Sequence, residues 1–286
     1  MTGFSLPLQR SSEAIPAKAP QTSYGAWGLR AAALSYLGVF ILVPLFVVNV
    51  QGLRVGLDVF WESISNPTAV SAITLTVWTS AVMTIINTLI GTLTAYVLVA
   101  YRFPGKTLFN TLIDLPFAIP TLVAGVLLVV LYGPQTFIGA FFRDTLDIDI
   151  LFATPGIIIA LLFVGYPFVI RTVQPVLMNL EVYQQEAAHT IGASPWNTFR
   201  HVIFPALRPA ITTGALLSFA RSLGEFGSVI VVAGNIPMRS QTATVYIYTQ
   251  VEAGNMQAAS SVSLVLLLVA FVITIGVDLL ERRRHA

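Results

Sequence analysis

Two oppositely charged residues in an apolar stretch, Arg221 and Glu225, are the strongest candidates for chemistry in this sequence. Because they are spaced four positions apart, they lie one helical turn from each other on the same face and neutralise each other. A lone charge near the middle of a membrane span costs roughly 3 kcal/mol or more, which an opposite charge nearby offsets. The sequence therefore predicts a charge pair within a span.

Two interpretations of this pair stay open. In the first, Arg221 borders a path for anions, because a planar guanidinium matches the paired oxygens of an oxyanion. In the second, Arg221 and Glu225 form a structural bridge that holds their helix to its neighbours. Ser222 and Ser228 add hydroxyl donors that serve either interpretation.

No other group of residues has the spacing of a catalytic or metal site. The three histidines share no metal-ligand spacing, cysteine is absent, and no Ser-His-Asp or paired-carboxylate arrangement is visible. Gly105-Lys106-Thr107 matches the end of a phosphate-binding loop, but Ala100 stands where that loop needs its first glycine. The sequence predicts no catalytic residue, no metal and no bound cofactor, and it contains no basic run that suggests nucleic-acid binding.

The elements that must hold the charge pair are membrane helices. Of the 286 residues, 56% are hydrophobic and only 10% are charged, whereas a soluble domain has about 25% charged residues. Several apolar stretches reach the length of about 20 residues that a transmembrane helix needs. The sequence predicts an all-α integral membrane protein with about six transmembrane helices, near 30–50, 68–100, 115–132, 155–176, 208–232 and 260–280.

The distribution of lysine and arginine predicts the orientation of these helices. With the N-terminus inside, the cytoplasmic segments hold eleven of these residues and the opposite side holds three, Arg54, Arg143 and Arg239. Positive residues are enriched on the cytoplasmic side of membrane proteins, so both termini are predicted to be cytoplasmic.

The polar stretch 179–205 is the longest predicted cytoplasmic segment between spans. Gly192 stands where a helix needs a left-handed C-terminal cap. Ser194 and Pro195 then begin a second helix, with serine as the cap and proline at the first helical position. The pattern predicts a short helix, a tight turn and another short helix that ends at Pro205, and so a folded docking element rather than a solvated connector.

This stretch resembles the cytoplasmic EAA loop of the permeases of ABC importers. In that loop E-A-A is followed after three residues by a glycine, and later by an I-x-L-P tail. The matching residues here are Glu186, Ala187, Ala188, Gly192 and Pro205. Val202 and Phe204 depart from the usual tail but remain apolar.

Two further stretches resemble one branch of these permeases. They are LIDLPFAIPTLVAGVLL at 112–128 and SFARSLGEFGSVIVVAGNIP at 218–237. Both are similar to the branch that imports sulfate, thiosulfate or molybdate, and most of all to the T-type permease of sulfate/thiosulfate importers. The resemblance covers roughly residues 68–280.

The resemblance implies a type I ABC importer permease fold with no catalytic site of its own. A cytoplasmic tail at 1–29 would precede a first span and outer loop at 30–67, the permease core at 68–280 with its coupling loop at 179–205, and a basic tail at 281–286. The implied partners in a bacterial inner membrane are a second, homologous permease, two ATPase subunits that use ATP and Mg²⁺, and an extracytoplasmic sulfate-binding protein.

Alternatives to this function stay open. The same class of permease carries molybdate or another small oxyanion, and the sequence does not separate these cargoes. An ion-driven secondary transporter is a second alternative, although such proteins often contain internal repeats with matching broken helices, and the two halves of this chain do not resemble each other. A membrane-embedded enzyme would need a convergent catalytic set, which the sequence lacks.

Overall fold

The computed structural model describes residues 24–54, 56–180, 192 and 194–285, and these ranges contain helices and no strand. Five of the helices are long and apolar enough to cross a membrane: Trp27–Leu53, Pro67–Ala100, Thr154–Asn179, Trp196–Leu223 and Met256–Val277. A bent pair, Thr121–Tyr132 with Phe137–Leu146, gives a sixth span if it is counted as one. The predicted all-α membrane fold with about six spans is confirmed.

The described helices are numbered here in chain order. They are α1 (Tyr24–Leu37), α2 (Val43–Leu53), α3 (Leu57–Ser65), α4 (Pro67–Ala100), α5 (Lys106–Ile113), α6 (Leu115–Ala118), α7 (Thr121–Tyr132), α8 (Phe137–Leu146), α9 (Thr154–Asn179), α10 (Pro195–Thr198), α11 (Phe204–Leu223), α12 (Gly227–Ala233), α13 (Ala243–Glu252) and α14 (Met256–His285). Two π-helical turns, Gly38–Leu42 and Phe199–Ile203, join α1 to α2 and α10 to α11.

The chain divides into two compact units, Met1–Val47 and Val48–Ala286. In the first unit, α1 carries exposed apolar side chains such as Trp27 and Leu34, as expected of a helix surrounded by lipid. The charge pair and its surroundings lie wholly within the second unit.

The core of the second unit is formed by α4, α9 and α11, which pack against one another. One apolar cluster joins the ends of these helices and includes Leu98, Val173, Leu177, Ile203 and Leu207. Nearer the middle of the helices, Ser218 Oγ of α11 donates a hydrogen bond to the carbonyl oxygen of Gly165 in α9 at 3.2 Å. These contacts fix α11, which carries Arg221, against the rest of the bundle.

The predicted span 115–132 is wrong as a single helix. It is broken between α6 and α7, where Ile119 has extended backbone and Pro120 precedes the first residue of α7. A proline disfavours the helical conformation in the residue before it, and the extended backbone of Ile119 ends the helix at this point. The second half of the span, α7, is followed by α8 at an angle of 62°.

The predicted span 208–232 is also wrong in its bounds. Its helix α11 ends at Leu223, and a separate short helix, α12, begins at Gly227. The break falls at Gly224, which lacks a side chain to stabilise a helix. Arg221 therefore lies in the last turn of α11 and not near the middle of the span.

The second short helix does not end at Pro205 as predicted. Residues 195–223 form one helical run, in which Pro205 lies in the first turn of α11. A proline within a helix lacks an N–H and clashes with the preceding turn. The wider π-helical turn Phe199–Ile203 precedes it and makes room for the ring, so the helix continues.

Helices also extend into both predicted tails. The first helix begins at Tyr24, six residues inside the predicted tail 1–29, and the last runs to His285, through most of the tail 281–286. After Pro20 and before Pro44, no proline stands in the way of a helix. At the C-terminus, Glu281 and the arginines that follow it are good helix formers.

Candidate functional site

Arg221 and Glu225 form an ion pair in the second unit. The distance from Arg221 Nη2 to Glu225 Oε2 is 2.8 Å, so the predicted pairing is confirmed. Arg221 belongs to the last turn of α11, where a cation interacts favourably with the helix dipole. Glu225 lies just beyond, in the break before α12.

Glu225 is completely engaged by protein groups. Its Oε1 accepts hydrogen bonds from the backbone N–H and the Oγ of Ser228, each at 2.9 Å. The N–H of Ser228 lies in the first turn of α12, where backbone donors lack helical partners and attract negative charge. Thr244 Oγ1 donates to the carbonyl oxygen of Glu225 at 2.7 Å, so a residue of α13 also holds the break in place.

The two members of the pair differ in exposure and in remaining hydrogen-bonding capacity. The Glu225 side chain is 1% exposed, whereas the Arg221 side chain is 34% exposed. A guanidinium has five N–H donors, and in the described part of the chain Glu225 is the one partner of Arg221. Arg221 therefore has N–H groups available for a further acceptor, while both carboxylate oxygens of Glu225 are already engaged.

The surface beside Arg221 is an exposed stripe along α11. It consists of Thr213, Leu217, Ala220 and Gly224. The stripe leads to the exposed side of Arg221 in the last turn of α11.

Close backbone contacts hold the start of α12 against α7. A Cβ atom at Gly227 would lie against Thr121 Oγ1 and 2.9 Å from Leu122 N. A Cβ atom at Gly125 would lie 2.8 Å from the carbonyl oxygen of Ser228. Only glycine fits at both places, so the break that carries Glu225 is packed directly against α7.

The other two predicted pathway residues have different roles in the structure. Ser228 is buried and holds the Glu225 carboxylate through two hydrogen bonds. Ser222 is also buried, and its Oγ donates to the carbonyl oxygen of Phe219 at 2.7 Å. Neither hydroxyl is brought together with the exposed side of Arg221.

The residues predicted for coupling are only partly described. Glu186, Ala187 and Ala188 lie outside the described residues. Gly192 is exposed and has a φ angle of +79°, which confirms the predicted left-handed conformation. Pro205 lies within the helical run 195–223 and not at its end.

The predicted second helix start is confirmed. The helix begins at Pro195, and the backbone N–H of Asn197 donates to Ser194 Oγ at 3.3 Å. This is the serine cap that the sequence predicts, and it satisfies one of the free N–H groups of the first turn. The helical run that continues into α11 therefore has a capped N-terminus at Ser194.

Several residues around these sites are not found by sequence reasoning. Thr244 reaches Glu225 across 19 positions, and no spacing rule connects them. Trp196 is 66% exposed at the start of α10 and stacks on Phe199 with ring centroids 5.8 Å apart. An aromatic directly after a helix cap in a polar segment is a signal that could have been used for Trp196.

Comparison with protein families and curated proteins gives consistent matches. Residues 87–286 match the family described as "Binding-protein-dependent transport system inner membrane component". The "Probable sulfate transport system permease protein cysT" of Chlorokybus atmophyticus is 40% identical over 248 residues, which are 87% of this chain and 86% of that protein. The "Sulfate transport system permease protein CysT" of Escherichia coli K12 is 39% identical over 251 residues, 88% of this chain and 90% of that protein.

Solved structures are similar in fold. A chain from the crystal structure of a bacterial ABC transporter involved in the import of the acidic polysaccharide alginate superposes with a TM-score of 0.76. The two chains are 17% identical, and the match covers 91% of this chain and 96% of the other. This similarity extends the fold assignment to nearly the whole chain.

Proposed function

The chain belongs to the family of binding-protein-dependent transport system inner membrane components, and on that premise we propose that it is the permease subunit of an ATP-driven sulfate importer. Its CysT relatives, at about 40% identity over most of both chains, support sulfate as the cargo. Thiosulfate has the same charge and a similar size, so it belongs to the same proposal. Molybdate remains the alternative cargo.

Arg221 carries the proposal for the anion path. Its guanidinium is held by a single ion pair, is 34% exposed, and lies beside an exposed stripe of a membrane-spanning helix. A guanidinium with free N–H groups binds two oxygens of a tetrahedral dianion at once. Glu225 then serves as the buried counter-ion that keeps Arg221 in place. Its negative charge also weakens anion binding by Arg221, which allows the anion to be released during transport.

A second permease completes the path. The stripe Thr213, Leu217, Ala220 and Gly224 is exposed in the isolated chain, and Arg221 lies beside its end. A homologous permease that presents the corresponding stripe would enclose a polar path between the two chains. The chain then provides one half of the pathway in a bacterial inner membrane, with both termini cytoplasmic.

The segment 179–205 couples the chain to an ATPase. We assign this role to Glu186, Ala187, Ala188, Gly192 and Pro205, and the exposed ring of Trp196 adds an apolar contact beside them. No residue of this chain performs covalent chemistry, so two separate ATPase subunits bind ATP and Mg²⁺. An extracytoplasmic sulfate-binding protein delivers the cargo.

Reconstitution tests the function directly. The chain, its second permease, the ATPase and the sulfate-binding protein are placed in liposomes, and uptake of radiolabelled sulfate is measured with and without ATP. We expect ATP-dependent uptake that excess thiosulfate inhibits. Uptake of molybdate but not sulfate would show that the cargo is molybdate. Uptake by this chain without any ATPase would identify a secondary transporter.

Two variants in the same system test the coupling segment. Glu186→Ala is expected to leave the membrane part folded and ATP hydrolysis active, but to abolish its link to uptake, because the carboxylate contacts the ATPase. Gly192→Trp places a large side chain at the turn. Normal sulfate uptake by the Gly192→Trp complex would rule out docking through this segment.

A further inference from the structure

Arg171 of α9 has no N–H group left for a ligand. Its Nε donates to Asp114 Oδ1 at 2.7 Å, and its Nη2 donates to Asp114 Oδ2 at 2.6 Å and to the Asn110 carbonyl oxygen at 2.7 Å. Its Nη1 donates to Asn110 Oδ1 at 2.9 Å and to Gln174 Oε1 at 2.6 Å. A guanidinium has five N–H groups. All five N–H groups of Arg171 bond to protein acceptors, whereas Arg221 has N–H groups that do not.

This cluster holds α5 to α9. Asn110 is in the last turns of α5 and Asp114 is its C-terminal cap residue, so Arg171 places a cation where the helix dipole favours one. Apolar contacts lie beside these polar ones: Ile113 of α5 is buried in one cluster with Ile170 and Val173 of α9, and Phe117 of α6 packs on Phe168 of α9 with ring centroids 5.1 Å apart. A cavity of about 680 Å³ lies between α4, α5 and α9. The five hydrogen bonds of Arg171 add a directional contact to this packing, because they fix the orientation of the end of α5 relative to α9.

From Asp114 the chain leads directly to the charge pair. Asp114 precedes α6, and after the break at Pro120 helix α7 begins at Thr121. Thr121 lies against Gly227 so closely that no Cβ fits between them, and Gly227 starts α12 directly after the break that holds Glu225. A shift of Asp114 therefore displaces α6 and the start of α7. The start of α7 contacts α12, which supports the Arg221–Glu225 pair.

On its other side, Arg171 is close to the proposed coupling segment. It lies eight residues before Asn179, the last residue of α9, which is about 12 Å along a helix. Leu177 of α9 and Leu207 of α11 belong to one buried cluster. The two helices that flank the coupling segment are therefore packed together.

We propose that Arg171 and Asp114 are a positioning pair that makes α6 and α7, and through them α12 and the Glu225 side of the charge pair, follow the end of α9 when the coupling segment moves. The proposal rests on the proposed function, since it assumes that an ATPase moves that segment. The bidentate geometry matters, because two parallel hydrogen bonds fix orientation as well as distance. Without the pair, α9 would move and α5 to α7 would lag behind.

The test uses the complete importer in liposomes and measures sulfate transported per ATP hydrolysed. In Arg171→Gln we expect this ratio to fall by about tenfold, in the range found when elements that couple two sites are altered, while ATP hydrolysis continues. The swap of Arg171→Asp with Asp114→Arg restores the ion pair and is expected to restore most of the ratio. Arg143→Gln is the matched control, because Arg143 pairs with Asp144 at 3.0 Å in an exposed position and should leave the ratio unchanged.

A distance measurement gives a readout independent of cargo. The chain has no cysteine, so spin labels at Thr107→Cys in α5 and Met178→Cys in α9 report the separation of these helices when the other subunits are free of cysteine. With Arg171 present, the distance should stay constant when ATP is added to the complex; in Arg171→Gln it should change. A constant distance and an unchanged transport ratio in Arg171→Gln would overturn the proposal.

The remaining outcomes are also decisive. If Arg171→Gln does not assemble, the charge swap decides: restored coupling supports the pair, and assembly without coupling contradicts it. If the native complex transports no sulfate, the proposed function fails. The spin-label distances still test the positioning pair in that case, because they require ATP binding and not sulfate.

Discussion

Gly125 of α7 and Ser228 of α12 are in backbone contact, because a Cβ atom at Gly125 would lie 2.8 Å from the Ser228 carbonyl oxygen and 3.0 Å from its Cα. Ser228 also holds the Glu225 carboxylate. The helix that follows the break is thus fixed by a glycine on a different helix, and its position determines where the charge pair lies.

Gly125→Ala should therefore destabilise the protein. The added methyl group meets backbone atoms that cannot rotate away, and overpacking of this kind costs about 1–3 kcal/mol. We expect a lower melting temperature of the purified complex together with reduced sulfate uptake. Gly276→Ala is the control, since nothing in the described part of the chain lies within 4 Å of its Cβ position, and alanine is a better helix former than glycine. Equal melting temperatures for the two variants would contradict this packing.

The long spans could be predicted from the sequence and the breaks could not. Residues 68–100 are predicted as a span and Pro67–Ala100 is observed, because an uninterrupted apolar stretch of this length can only be a helix in lipid. The break at Gly224 was missed because apolar residues resume at Val229 and hide it. The length of an apolar stretch indicates that a segment lies in lipid. It does not indicate where a helix within that stretch ends.

The candidate site was found only in part for a similar reason. The spacing of Arg221 and Glu225 predicts their pairing, since the two residues are one helical turn apart in the sequence. Thr244 and Thr121, which support the break, come from distant positions and have no charge to mark them. Contacts between distant segments depend on how the helices pack, and a single sequence does not specify that packing.

The backbone conformation of Gly192 gives a prediction for the coupling segment. Its φ angle is +79°, so a side chain at this position has a conformational penalty. A residue other than glycine costs about 1–2 kcal/mol in this region, although asparagine adopts it occasionally because its short polar side chain can hydrogen-bond locally. Gly192→Asn should retain ATPase binding and sulfate uptake, and Gly192→Val should lose both in a co-purification and uptake assay. Loss of binding in both variants would show that the turn conformation is not what matters.

The exposed ring of Trp196 predicts a contact with the ATPase. Buried aromatic anchors at protein interfaces often contribute more than 1 kcal/mol each, so Trp196→Ala should weaken ATPase binding by about tenfold. The folded state should change little, because the side chain is 66% exposed. Trp78→Ala is the matched control, since Trp78 is 60% exposed on the transmembrane helix α4. If both variants bind the ATPase as the native chain does, Trp196 is not part of the docking surface.

Arg221 and Glu225 have different roles, so variants of each can distinguish an effect on anion transport from an effect on stability. Arg221→Lys keeps a cation that can make the single contact to Glu225 Oε2, which is 2.8 Å long in the native chain. A lysine lacks the planar fork that binds two oxygens. We expect a melting temperature close to that of the native complex and a roughly tenfold loss of sulfate transport, the effect of about one lost hydrogen bond to a charged group.

Glu225→Gln should have the opposite profile. It removes the charge from a side chain that is 1% exposed and accepts three contacts, and loss of charged hydrogen bonds at such a site costs about 1.5–3 kcal/mol. The melting temperature should fall more than in Arg221→Lys, whereas Arg221 keeps its free N–H groups for the anion. The swap of Arg221→Glu with Glu225→Arg provides the decisive comparison, because it preserves a pair but buries the guanidinium. Normal sulfate transport by this double variant, measured in the reconstituted importer, would show that the pair is a structural bridge and that the anion passes elsewhere.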